Sequence, residues 1–77
     1  PEMLKQAGIE GQVLASFVVD TTGRADMSTF KVITSTHEQF TQAVRRALPQ
    51  MRFLPAEVGN KKVKQLVQQP FGFAITR

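Results

Sequence analysis

The stretch Gly11-Gln12-Val13-Leu14-Ala15-Ser16-Phe17-Val18-Val19-Asp20-Thr21-Thr22-Gly23-Arg24 decides the architecture. Val13, Ala15, Phe17 and Val19 fall on one side of an extended chain, and Gln12, Leu14, Ser16, Val18 and Asp20 on the other. Period two is the signature of a strand with one face in a core, which predicts a strand over residues 12–20. The Thr21-Thr22-Gly23-Arg24 cluster is turn chemistry, with Gly23 supplying a positive φ, so the chain should reverse as a hairpin. The return strand is predicted from about Asp26 to Thr34, carrying Met27, Phe30, Val32 and Ile33.

Downstream of the hairpin the period changes. Ser35-Thr36-His37-Glu38 has the reciprocal capping pattern, in which a hydroxyl accepts from a first-turn amide and Glu38 answers three residues later. Phe40, Ala43, Val44, Ala47, Leu48 and Met51 then recur at spacings of three and four, one buried helical stripe, with Gln39, Gln42, Arg45 and Arg46 on the wet face. Pro49 lacks an amide proton and crowds the carbonyl four residues back, so the regular helix should end or kink near Leu48. Met51, Phe53 and Pro55 form an apolar exit, and Val58-Gly59-Asn60 makes a turn. The last segment, residues 61–76, reads as one long strand with Val63, Val67, Phe71, Phe73 and Ile75 inward.

Upstream, residues 1–7 hold a Pro head and good helix formers before Gly8, which predicts a short N-terminal helix. Ile9, between Gly8 and Gly11, is expected to plug the core. The order helix, strand, strand, helix, strand buries its apolar faces only by laying the helical stripe on the odd-numbered strand faces. The expectation is therefore a two-layer α+β sandwich, a small three-stranded antiparallel sheet under one main helix, with residues 1–77 as a single domain. Such a sheet has two edges, and the C-terminal strand should own one of them.

Length and composition narrow the function classes. The 77 residues, 42% hydrophobic and 21% charged, suit one globular core, and a domain this small buries only roughly 60–65% of its unfolded surface. There is no Cys, so disulfides, thiolate metal sites and Cys nucleophiles are excluded, and no apolar run approaches the ~20 residues of a membrane-spanning helix. A formal charge of +4 biases encounters toward acidic partners. The start at Pro1, without a Met, reads as an excised fragment, with any signal sequence, membrane anchor or linker of the parent expected upstream.

Against this background the ordered landmarks resemble one known family. Gly11-x-Val13-x-x-x-Phe17-x-Val19-Asp20-x-x-Gly23 resembles the first hairpin of TonB C-terminal domains. The helix Phe40-x-x-Ala43-Val44-x-x-Ala47-Leu48, the exit Met51-Arg52-Phe53-x-Pro55-Ala56 and the strand Val63-x-x-x-Val67-x-x-Pro70-Phe71-x-Phe73 match its remaining landmarks. Met51 stands where the family usually has Trp, and Pro49 where a basic residue is common. The resemblance implies a periplasmic, non-enzymatic domain of an energy transducer, tethered to an inner-membrane helix that works with an ExbB and ExbD-like motor. Its implied target is the TonB box, an extended segment of outer-membrane transporters for siderophores and vitamins. The alternative is a TolA-like module, or a TonB-like module fused to a sensor or peptidase, with a different periplasmic partner. A third possibility is a homodimer in which open edges pair.

The residue types agree with binding rather than chemistry. His37 is the only histidine, with no second ligand in sequence reach, and so reads as a surface or capping residue, not a metal or general-base site. Asp20 and Asp26 flank the turn, where short carboxylates cap backbone amides, and Ser28, Ser35 and Thr36 have no base in their pattern. Lys61, Lys62 and Lys64 form the basic cluster, read either as a solvated face guarding an edge or as an attractor of an acidic or polar segment. Nucleic acid is disfavoured because no Tyr, Trp or exposed aromatic platform accompanies these lysines. Pro70 cannot donate to a ladder, so the last strand is either bulged there or an edge whose open side includes residue 70. Both options make Val63, Lys64, Gln65, Leu66, Val67, Gln68 and Gln69 the expected run for receiving a partner strand. Gln65, Gln68 and Gln69 are read either as solvated side chains or as polar contacts to the ligand. No cofactor is expected.

Overall fold

A computed structural model describes residues 10–74 of the chain. Strand β1 (Gly11–Val19) and strand β2 (Ala25–Ser35) form the expected hairpin, β1 starting and ending one residue earlier than the sequence pattern suggests and β2 one residue longer at each end. Helix α1 (Glu38–Ala47) follows and runs into a short 3-10 helix (Leu48–Gln50). Strands β3 (Ala56–Val58), β4 (Lys61–Val63) and β5 (Gln65–Phe73) complete the order. The short N-terminal helix over residues 1–7, the Ile9 plug and the inward Ile75 fall outside the described residues.

The main sheet has the order β2-β1-β5 and is antiparallel throughout. Hydrophobicity explains why β1 takes the centre. Val13, Ala15, Phe17 and Val19 are all buried, and a strand so apolar on one face is best covered from both sides and above. Phe40, Val44 and Leu48 come down on it from the helical layer, each buried. Two packed groups result: Val13 and Ala15 with Phe40 and Val44, and Phe17, Val19 and Ala25 with Leu48. Phe30 and Phe71 touch both groups and join them into one core.

The β1–β2 turn is fixed by a carboxylate and a glycine. Asp20 Oδ1 accepts from the Thr22 amide at 2.9 Å, the Thr22 hydroxyl at 2.6 Å and the Arg24 amide at 3.1 Å. The Thr22 hydroxyl, with the Arg24 and Thr22 amides, holds the Asp20 carboxyl below the ordinary carboxylate range, and the nearby Lys64 charge adds to this. Gly23 has φ 87°, and a Cβ there would collide with the Phe53 carbonyl. The same contact is used constructively: the Phe53 amide donates to the Gly23 carbonyl at 2.8 Å, and Arg24 Nη1 donates to the Pro49 carbonyl at 2.9 Å. The helix exit is thereby fastened to the hairpin tip.

Two expectations are corrected, and one, the end of the regular helix near Leu48, is met. The capping box does not form: the helix begins at Glu38 behind an extended His37, which makes no side-chain cap. Ser35 Oγ instead donates to the His37 carbonyl at 2.9 Å and accepts from the buried Thr41 hydroxyl at 2.6 Å, so the β2–α1 junction is tied to a buried side chain of the helix. Pro49 ends the α-helix without breaking the chain direction, because at the head of a 3-10 turn its missing amide is not needed. The segment 61–76 is not one strand. Lys61–Val63 folds back on Ala56–Val58 through a turn at Gly59, whose φ is 61°, and only the part beyond Lys64 joins the main sheet.

A candidate partner-strand edge

The three-stranded sheet has two outer rims among the described residues, and they differ in quality. Along β2 the register with β1 slips twice, between Leu14 and Ala15 and between Ser16 and Val18. The second slip is built by side chains. Asp26 Oδ1 accepts from the Ser28 amide at 3.1 Å and its hydroxyl at 2.7 Å, while Thr29 Oγ1 takes the Val18 amide at 2.8 Å in place of a strand carbonyl. Bulges twist an edge away from flat pairing and are a usual means of blunting it. Along β5 the register runs unbroken from Gly11 opposite Phe73 to Val19 opposite Gln65. The straight rim is therefore that of β5.

Which backbone groups face that rim follows from Pro70. It lies opposite Leu14 with no shift in register, and a residue without an amide proton sits stably in an edge strand only where its nitrogen points outward. The β1 side agrees, since the amides of Gln12 and Val18 point toward β2, where they meet Thr36 Oγ1 and Thr29 Oγ1. The odd-numbered β1 residues, and their odd-numbered β5 partners, thus share the β1–β5 ladder. Leu66, Gln68, Pro70 and Gly72 turn their backbone groups outward. Pro70 offers its carbonyl alone, and the Gln69 side-chain amide already approaches it at 3.3 Å.

The expected docking run is thus divided among elements. Val63 lies in β4 opposite Ala56, Lys64 stands at the break between strands, and Gln65, Leu66, Val67, Gln68 and Gln69 lie on β5. Side chains alternate across the sheet: Val67 and Gln69 are half-buried on the helix side with Phe71 and Phe73, whereas Leu66 and Gln68 are exposed on the other face. Leu66 is 67% exposed, a large apolar side chain beside outward-pointing amides. Lys62 and Lys64 do not share one strand, so the basic cluster splits between the β3–β4 hairpin and the start of the rim. Sequence reasoning missed that hairpin, although Gly59-Asn60 marked its turn.

Chemistry-bearing residues elsewhere are occupied with structure. His37 packs edge-on against Phe40, with ring centroids 5.4 Å apart at 77°. Among the described residues no group of three or more His, Cys, Asp or Glu is placed to hold a metal ion, and no helix is long and apolar enough to cross a membrane. The arrangement supplies a hydrogen-bonding template with apolar neighbours.

Comparison with known proteins shows the family and the fold. The family model described as Gram-negative bacterial TonB protein C-terminal matches residues 1–75. No curated protein sequence matches the chain. Among solved structures, the chain is similar to the solution NMR structure of the Pseudomonas aeruginosa TonB C-terminal domain, with a TM-score of 0.81 and 33% identity. That match covers 100% of this chain and 77% of the other.

Proposed function

We propose, from the fact that this chain belongs to the family of TonB protein C-terminal domains, that its β5 rim grips an extended partner segment by strand addition. The partner segment is the TonB box of an outer-membrane transporter, and the domain is the periplasmic end of an energy transducer. The observation that carries the reading is the unbroken register of β5 with β1, which leaves the opposite side of β5 straight and, among the described residues, unpaired. An exposed strand edge is a template for β-augmentation, in which main-chain bonds give affinity and alternate side chains give specificity.

Magnitudes suit a reversible grip. Leu66 and Gln68 each offer one outward donor and one acceptor, and Pro70 adds an acceptor. At ~1 kcal/mol net each, these five bonds give about 5 kcal/mol. Association costs an estimated 4–15 kcal/mol in lost rigid-body freedom, so apolar contacts must supply the surplus. The expected affinity of such a reversible grip is on the order of micromolar, about −8 kcal/mol. A ladder pulled along its strand axis loads its bonds together, which fits transmission of force from an ExbB and ExbD-like motor acting through upstream sequence. The cargo, a siderophore or vitamin, would be chosen by the transporter. The domain performs no reaction in this scheme.

Backbone NMR titration with a TonB-box peptide tests the reading. Amide shifts concentrated at Gln65 to Gln69 are expected. Shifts confined to the Arg45 and Arg46 face of α1 would overturn it.

A further inference from the structure

Resting on the β5 rim as the receiving edge, we propose that the added strand is selected by aliphatic side chains on its helix-facing side, seated in a groove along Ala43, Ala47 and Met51. The seat follows from how α1 lies on the sheet. Thr41 and Arg45 mark the flank above β2: the Thr41 hydroxyl donates to Ser35, and the Arg45 guanidinium lies 4.8 Å from the Phe30 ring centroid. Ala43 and Ala47 come two residues after these, about 200° round the helix. With β1 between β2 and β5, that opposite flank overlooks β5. Phe40, on the same side, stacks on Phe73 of β5 with centroids 4.4 Å apart and planes at 12°.

The flank is recessed. Ala43 and Ala47 carry only methyl groups, and with Arg46, Gln50 and Met51 they line an open groove of about 510 Å³. Ala47 and Met51 are exposed, the latter 37%. Beneath the flank, Val67 and Phe71 are only half-buried, since α1 packs mainly across β1 and β2. A strand added outside β5 lies about 4.8 Å beyond it, and every second side chain rises on the same face as Val67 and Phe71. Those side chains meet the alanine flank from below and close the gap between helix and sheet. Arg46 at the lip disfavours a cation nearby. The ligand class is therefore an extended segment with Val, Ile or Leu at alternate positions and no Lys or Arg among those facing the helix.

The test uses the labelled chain, an extended peptide with Val at alternate positions, and a twin with those valines replaced by the near-isosteric Thr. The expected result is shifts of the Gln65 to Gln69 amides together with the Met51 methyl, and about tenfold weaker binding of the twin. Ala47→Phe, at an exposed position, should fill the groove and shrink that discrimination to about twofold or less, and Met51→Gln should act the same way. If the β5 amides shift while the Met51 methyl stays still, or if both variants keep full discrimination, the groove assignment is wrong and the edge reading stands. Methyl shifts at Leu14, Val18 and Leu66 in place of Met51 would put the aliphatic side chains on the other face and equally overturn the groove. Absence of β5 shifts with either peptide would overturn both.

Discussion

Asp20 and Gly23 are single residues on which the position of a whole layer turns. Asp20 is the acceptor for three donors in the hairpin tip, and its carboxyl is held below the ordinary range chiefly by the Thr22 hydroxyl. A depressed folded pKa means stability that is present above the unfolded value near 3.8 and lost as the pH falls through the lower folded value. Asp20→Asn keeps an acceptor oxygen but cannot titrate, so its melting temperature should fall less steeply than the wild type's below about pH 4, as thermal melts across that range would show. Gly23→Ala should cost at least about 2–3 kcal/mol in urea unfolding, because it combines a positive φ with a clash on the Phe53 carbonyl. The positive φ was legible from the turn composition around Gly23. The clash was not, since Phe53 approaches only when the helix exit folds over the tip.

At the scale of elements, β5 shows how far a pattern can be read. Pro70 announced an edge strand, and the structure selects the edge over the bulge, with no register shift at residue 70. Proline scanning of this strand checks the assignment of its two sides. Gln68→Pro removes an outward amide and should leave the melting temperature nearly unchanged while weakening peptide binding by about five- to tenfold. Val67→Pro removes an amide from the β1 ladder and should cost about 3 kcal/mol or more in chemical unfolding. The opposite pattern, with Gln68→Pro the destabilising change and Val67→Pro the tolerated one, would reverse the orientation of the rim. The break at Lys64 was hidden because Val63, Val67, Phe71 and Phe73 keep the same parity across it. Whether Lys61–Val63 pairs with Ala56–Val58 or extends β5 is a competition between partners, and alternation is identical in both outcomes. The capping motif misled for a related reason: Ser35 had a better acceptor and donor in His37 and the buried Thr41 than in the first-turn amides.

For the whole molecule, the core is small and shared, which makes it sensitive. Phe17 is fully buried, packs 5.5 Å centroid to centroid against Phe53 and sits in the group that holds Leu48. Phe17→Ala should destabilise by about 3–5 kcal/mol, comparable with the whole stability expected of a domain this size. Its urea transition should start near zero denaturant. By contrast Leu54, 97% exposed, should tolerate Leu54→Ser within about 0.5 kcal/mol in the same assay. The layered α+β plan was readable because periods of two and of three to four are imposed by backbone geometry and need no tertiary knowledge.

The sequence alone determined the β1–β2 hairpin and helix α1, the buried faces of β1 and α1, and the candidacy of the last strand as an edge, since each rests on local periodicity or on the chemistry of one residue such as Pro70. Only the tertiary structure decided that β2 is the bulged rim and β5 the straight one, that Val63 belongs to a separate hairpin, and that Ala43 and Ala47 overlook β5. Those outcomes depend on which strand wins a shared neighbour and on the rotation of α1 about its axis. Both are settled by packing free energies summed over residues far apart in the chain, which no local pattern encodes.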